Sequence, residues 1–231
     1  MKKLNRIPEI LAVGAFVLVG ALAFTLPKTV EVQLNDEVNS KSVTKIVQSY
    51  LDMPGRGDPL KTFVLTINSP GGEVYQEEYL INTLTHSNAN IVTEVPSFAA
   101  SAATSIFLAG NTRLMGEDAV LIFHEVRVFI GGHVITFTDL KNLLNDGFFS
   151  DPNSANFLDF KLAKFIKTLV GKDLKDVVKN MAKTHERHIA FLMSRTGLSR
   201  EVIEKEVIIH NVDKEIHLKD ALRLNIATGA L

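Results

Sequence analysis

Hydrophobic and polar positions follow a regular pattern after Val30, and this pattern predicts a series of strands and helices. Short apolar segments typical of strands are VEVQL, TFVLTIN, NIVTEV, TRLM and AVLIFH, and TFVLTIN is apolar almost throughout, as a buried strand is. A helix is predicted in NDEVNSKSVTKIVQSYLDM, with Asn35 and Asp36 as candidate caps, and a second helix over about residues 73–86. Strands that alternate with helices predict an α/β fold with parallel strands, whose ends gather loop residues into one site.

The chain changes character after Gly132, where a long and mostly helical stretch begins. We interpret residues 133–195 as a helical arm inserted into the domain. Within it, one helical face carries apolar residues with lysines between them, namely Leu158, Leu162, Phe165, Ile166 and Leu169. Such a face predicts either a ring or smaller homo-oligomer formed through residues 157–169, or contact with a membrane surface.

The first 27 residues have a layout of their own. Lys2, Lys3 and Arg6 precede an uncharged apolar run over residues 10–26, which is just long enough to span a bilayer. The ALA sequence at residues 21–23 also fits a signal cleavage site. We therefore expect a signal peptide or transmembrane anchor in residues 1–27, and one domain over residues 28–231. The basic residues place the amino terminus inside, so a single-pass membrane or exported, periplasmic location is favoured over a cytoplasmic one.

Composition removes several classes of function. The net charge of −1 argues against a nucleic-acid partner. The absence of cysteine excludes disulfides, thiol nucleophiles and cysteine metal sites. His185 and His188 could share a helical face, but the run THERH is more typical of a solvated surface than of a metal site. We therefore expect neither a metal nor another cofactor.

The segment SFAASAATSIFLAG places Ser101 where a strand is predicted to lead directly into a helix. A serine there is often only a helix cap. Acyl transfer, however, needs a nucleophile, a base and donors for the oxyanion. His124 ends an apolar strand and is the candidate base. The N–H of Ala102 and the glycines of SPGG are candidate oxyanion donors, although SPGG also suits an ordinary tight turn.

Three segments, INSPGGEV, FAASA and LIFHEV, resemble in their order and spacing the proteolytic subunit of the Clp protease, a serine peptidase of the ClpP/crotonase fold. The resemblance covers about residues 30–226 and places the family's serine on Ser101 and its histidine on His124. It implies a core of repeated strand, strand, helix (ββα) units that carries the inserted helical arm. Two departures are that SFAAS lacks the family's glycine before the serine, and that the chain is longer than the bacterial subunit between His124 and Asp213.

The third catalytic residue is implied by the end of the chain. The segment TGLSREVIEKEVIIHNVDKEIHLKDALRLNIA resembles the family's ending and brings Asp213 onto the catalytic aspartate. Asp220 and Glu125 are the rivals, and Glu125 is disfavoured because neighbours along a strand point to opposite faces. The full set of site residues is then catalytic Ser101, His124 and Asp213, oxyanion-hole Gly72 and Ala102, and substrate-binding Gly71, Gly131 and Gly132.

The expected function is a serine endopeptidase that hydrolyses peptides or unfolded proteins through an acyl-enzyme. One alternative is a membrane-associated peptidase resembling signal peptide peptidase A, in which Lys161, Lys164 or Lys183 would replace the histidine. Another is a non-peptidase protein of the crotonase fold, either an acyl-CoA enzyme or an inactive scaffold. Because no ATP is present outside the membrane, an ATPase partner is not expected.

Overall fold

A computed structural model of the protein describes residues 29–130, 133–144, 174–210 and 212–231. In chain order its elements are β1 (Thr29–Leu34), α1 (Ser40–Leu51), β2 (Thr62–Ile67), α2 (Val74–Thr85), β3 (Asn90–Val95), β4 (Phe98–Ala100), α3 (Ala102–Leu108), β5 (Thr112–Met115), β6 (Val120–Phe123), β7 (Arg127–Ile130), β8 (His133–Thr136), α4 (Phe137–Leu144), α5 (Leu174–Thr196), α6 (Arg200–Glu206), β9 (Lys214–His217), α7 (Leu218–Arg223) and β10 (Gly229–Ala230).

The main sheet is parallel and has the strand order β1-β2-β3-β5-β10. Its strands bury every second residue, and in β2 the side chains of Phe63, Leu65 and Ile67 are fully buried. Helices from the intervening segments complete the same hydrophobic core. The predicted α/β fold is confirmed, and the parallel sheet with its helices is consistent with the ClpP/crotonase type.

A second, smaller sheet has the order β4-β6-β9. Strand β4 runs parallel to β6, and β9 runs antiparallel to β6. The prediction that the strand NIVTEV leads directly into a helix is wrong in this respect, because a bend at Pro96 and Ser97 and the strand β4 lie between them. The bend moves the chain from the first sheet to the second, so that β4 can pair with β6 immediately before Ser101.

The start of α1 also differs from the prediction. The cap is Asn39, whose side chain accepts hydrogen bonds of 3.0 Å from the N–H groups of Lys41 and Ser42. Asn35 and Asp36 lie too early, because Val38 is held in extended form by an N–H bond of 2.8 Å to the Gly71 carbonyl.

The arm expected over residues 133–195 begins with a strand, not with a helix. Strands β7 and β8 pair antiparallel on either side of the Gly-Gly sequence at residues 131–132, and α4 starts only at Phe137. Alternating β-branched residues around two glycines are typical of a hairpin. The apolar face at residues 157–169 and the expected anchor at residues 1–27 lie outside the described residues. Among the helices that the structure describes, none is long and apolar enough to cross a bilayer.

Candidate active site

Ser101 stands between β4 and α3 in a backbone conformation that residues other than glycine rarely adopt. Its φ is 55° and its ψ is −129°, and such a conformation costs on the order of 1–3 kcal/mol unless the surroundings hold it. The Ser101 N–H donates to the Ile122 carbonyl at 2.9 Å, which fixes it beside β6. Although Ser101 occupies the cap position of α3, its hydroxyl makes no capping hydrogen bond. A role as a helix cap therefore does not account for this side chain.

The pairing of β4 with β6 brings His124 next to Ser101. Ala100 is the partner of Ile122 in this parallel register, so Ser101 lies beside Phe123 and His124 is one residue further along. Both Ser101 and His124 line a single cavity of about 1100 Å³. In the described part of the chain, the Ser101 hydroxyl and the His124 imidazole are not hydrogen-bonded to each other, which is common when no substrate is bound.

The imidazole of His124 is in the form that a general base needs. Its Nδ1 lies 2.7 Å from the Glu125 carbonyl oxygen. Because a carbonyl oxygen only accepts, Nδ1 carries the proton and Nε2 is left as an acceptor. Burial lowers the pKa of His124 below its ordinary value, and the positive charge of Arg127 lowers it further. The Glu125 carbonyl and the carboxylates of Asp213 and Glu125 raise the pKa, but burial is the largest effect. The ring is therefore neutral at neutral pH.

Asp213 reaches the same edge of the second sheet on the third strand. Phe123 pairs with Lys214, so Asp213 lies opposite His124 in the antiparallel register. Its carboxylate, however, is ion-paired with Arg127, and its side chain is 59% exposed. The backbone thus brings Ser101, His124 and Asp213 side by side, whereas the Asp213 carboxylate bonds to Arg127 and the imidazole to the Glu125 carbonyl.

The two rival acids are engaged elsewhere. Asp220 lies on α7, where it accepts a hydrogen bond from Arg223 at 3.1 Å. Glu125 is buried and accepts from the Thr138 hydroxyl at 2.8 Å, and its other oxygen lies 3.1 Å from Nδ1 of His210.

The SPGG loop packs directly against the start of α3. Gly71 has φ of 92°, and a Cβ at this position would lie 2.7 Å from the Ser101 Cβ and 2.9 Å from the Ala102 nitrogen. Only glycine fits such a close approach. The N–H groups of Gly72 and Ala102 donate to no other group in the described part of the chain, and both residues line the cavity. They are thus available to an oxyanion. Gly131 and Gly132 lie outside the described residues.

Sequence reasoning missed a polar cluster beside the serine and the arginine that holds Asp213. Ser105 Oγ lies 3.0 Å from Nε2 of His188, and both residues line the cavity together with Glu77. The prediction that THERH is a solvated surface fits the exposed Glu186 and Arg187 but not the two histidines, because His188 is half-buried and His185 stacks on Phe137 with ring centroids 5.1 Å apart. Ser105 follows Ser101 by one helical turn, and this spacing was the available signal.

An α/β fold with a strained serine, a neutral histidine and two available N–H groups around one cavity has the composition of a serine hydrolase site. The family model for the Clp protease matches residues 21–144, and the chain belongs to the Clp protease family. It is 35% identical over 78 residues to the ATP-dependent Clp protease proteolytic subunit 1 of Synechococcus sp. (strain CC9902). This match covers 34% of the chain and spans 39% of the length of that curated relative.

Proposed function

We propose that this protein is a serine endopeptidase that hydrolyses peptides or unfolded proteins through an acyl-enzyme. The observation that carries the proposal is Ser101 itself: its backbone is strained, its hydroxyl is not used as a cap, and it shares a cavity with the neutral His124. Membership of the Clp protease family supports the same reaction class.

The reaction begins when Ser101 Oγ attacks the scissile carbonyl carbon while Nε2 of His124 takes the hydroxyl proton. The N–H groups of Gly72 and Ala102 donate to the oxyanion that forms. His124 then passes the proton to the leaving amine, which leaves an ester on Ser101. A water molecule, deprotonated in turn by His124, hydrolyses this ester and restores the serine.

Asp213 completes the triad when its carboxylate leaves Arg127. The register of β6 and β9 supports this role, because it sets Asp213 opposite His124. Until then, the Glu125 carbonyl holds Nδ1 and keeps the imidazole in the required tautomer. The carboxylate would add stabilisation of the imidazolium, which a neutral carbonyl supplies less well.

Peptide hydrolysis by single variants tests the proposal. Ser101→Ala and His124→Ala should each lower kcat by roughly 10⁴- to 10⁶-fold, and the double variant should be little worse than either, because the groups act as one unit. Asp213→Asn should cost on the order of 10⁴-fold. The matched control is Ser97→Ala, since Ser97 is exposed only four residues before Ser101. Full activity in Ser101→Ala would contradict the proposal.

The alternatives predict different outcomes in the same assay. A serine and lysine dyad would leave His124→Ala active and would be abolished by loss of a lysine. Lys183 is exposed on α5 and does not line the cavity, whereas Lys161 and Lys164 lie outside the described residues. A crotonase-type acyl-CoA enzyme or a scaffold would hydrolyse no peptide at all.

The proposal includes assembly and location. Members of the Clp protease family are generally oligomeric, and the β7–β8 hairpin exposes Phe129 by 80% and Val134 by 49%, which suits a homo-oligomer. The amino-terminal segment would anchor the protein in the membrane or direct its export. Native mass spectrometry of the chain lacking residues 1–27 should show multimers, and a monomer that binds liposomes would favour a membrane-surface role for the arm.

A further inference from the structure

Three polar side chains from three helices meet on the wall of the cavity, one helical turn away from the reacting groups. They are Glu77 of α2, Ser105 of α3 and His188 of α5. Ser105 follows Ser101 by four residues, which is about 6 Å along the helix axis. Glu77 likewise lies one turn beyond Glu73, the residue that follows Gly72. The cluster therefore lines the cavity about one helical turn from Ser101, close enough to contact a side chain of a peptide bound there.

The chemistry of the cluster centres on a carboxyl group that has no cationic partner. Arg187 of α5, which also lines the cavity, is ion-paired with Glu78 at 2.8 Å and not with Glu77. No ion pair joins Glu77 to a basic side chain anywhere in the described ranges. Burial raises the pKa of Glu77 to about 7 and lowers that of His188 to about 4, so His188 supplies no positive charge either.

The charged side chains along the described cavity wall also favour a cationic ligand. Among the described residues that line it, five are glutamates and two are arginines, namely Glu37, Glu73, Glu77, Glu78 and Glu125 against Arg127 and Arg187. Both arginines already have carboxylate partners, Asp213 for Arg127 and Glu78 for Arg187. Acidic groups therefore outnumber basic ones on the described wall of the cavity, and Glu77 is a half-buried member of this set without an ion-pair partner there.

We propose that Glu77, Ser105 and His188 form a specificity subsite that takes a lysine or arginine side chain of the substrate, on the residue before the scissile bond. The proposal rests on the peptidase function proposed above. The Glu77 carboxylate would form an ion pair with the bound cation, and Ser105 and His188 would offer further hydrogen-bond acceptors. Ile81 and Phe191, which also line the cavity, can pack against the aliphatic stem of such a side chain.

The test compares peptides that differ only in the residue before the scissile bond. Lysine and arginine peptides should have kcat/KM values about 10- to 100-fold above the norleucine peptide, as a charge-assisted contact in a partly buried site provides. Glu77→Gln keeps the shape of the side chain and its capacity for hydrogen bonds, but removes its negative charge. It should remove this preference, so that the kcat/KM values of the lysine, arginine and norleucine peptides become nearly equal. Circular dichroism and thermal unfolding verify that the variant is folded.

The matched control is Glu73→Gln, because Glu73 lines the same cavity one turn nearer to the serine but is exposed. Glu73→Gln should keep most of the preference for lysine and arginine peptides. An exposed carboxylate is screened by solvent and attracts the bound cation less than a half-buried carboxylate that contacts it. An equal loss in both variants would contradict a defined subsite.

Labelling by a fluorophosphonate in the same samples separates failure of the subsite from failure of the peptidase function. If Ser101 labels and norleucine peptides are cleaved, but basic peptides gain nothing or Glu77→Gln leaves their advantage intact, the subsite is refuted and the peptidase stands. If the wild-type protein neither labels nor cleaves any peptide, both are refuted.

Discussion

Gly71→Ala would place a methyl group where the backbone around Ser101 already stands. The added Cβ would lie 2.5 Å from the Ala100 carbonyl oxygen, 2.7 Å from the Ser101 Cβ and 2.9 Å from the Ala102 nitrogen. The last of these contacts lies at the proposed oxyanion donor of Ala102. The substitution should therefore impair catalysis and folding at once.

The magnitude has two parts. The φ of 92° at Gly71 disfavours an L side chain by about 1–2 kcal/mol. Relief of the close contacts requires backbone movement, which costs about 1–3 kcal/mol more. A total of about 2–5 kcal/mol is below the stability of an ordinary domain, so the variant should fold with its Tm lowered by roughly 5–20 °C. Displacement of the serine or the donor by even an ångström should reduce kcat/KM on the order of 100-fold.

Gly197→Ala is the control that separates backbone strain from contact. Gly197 has φ of 76°, but a Cβ there would have nothing within 4 Å. It should lower the free energy of unfolding by only about 1–2 kcal/mol and leave peptide hydrolysis unchanged. Thermal unfolding and kcat/KM are measured for both variants. Equal Tm losses, together with full activity in Gly71→Ala, would refute the packing of the SPGG loop against Ser101.

Further predictions concern the histidine, the ion pair and the helix that carries the serine. Because burial lowers the pKa of His124, the acid limb of the kcat/KM profile should fall below pH 6.5, activity being lost as the pH drops through that pKa; a limb well above 6.5 would contradict the buried neutral ring. Arg127→Gln removes a positive charge and releases Asp213, so the same limb should move to higher pH, and an unmoved limb would show that the pair does not influence the imidazole. Arg195→Met removes donors to the carbonyls of Leu108 and Gly110 at the end of α3, and should lower the free energy of unfolding by about 1–3 kcal/mol in denaturant titrations; an unchanged midpoint would mean that water replaces these bonds.

Local sequence patterns account for most of the fold. The alternation in β2 and the turn signal in SPGG predict the parallel strands and the loop between β2 and α2, because each depends on neighbouring residues alone. The positions of Ser101 and His124 at the ends of apolar segments were visible for the same reason. The β7–β8 hairpin was also readable from VRVFI, Gly-Gly and HVIT, but the helical character of the following chain obscured it.

Contacts between distant parts of the chain could not be predicted. The ion pair of Arg127 with Asp213 joins residues 86 positions apart, and the register of β6 and β9 brings them together. The contact of Ser105 with His188 requires α5 to cross α3. A local sequence pattern shows that such residues are polar but not which helix or strand will cover them. It therefore predicts that each of them lies on the surface.

Peptide mapping of the protein after reaction with a fluorophosphonate tests the central claim most directly, namely that Ser101 is a nucleophile activated by His124. The claim predicts one phosphonylated peptide, the one that contains Ser101. It also predicts that the rate of modification falls by at least about 1000-fold in His124→Ala, because the serine then has no base. Modification at another residue, or labelling of Ser101 at an undiminished rate in His124→Ala, would contradict the account.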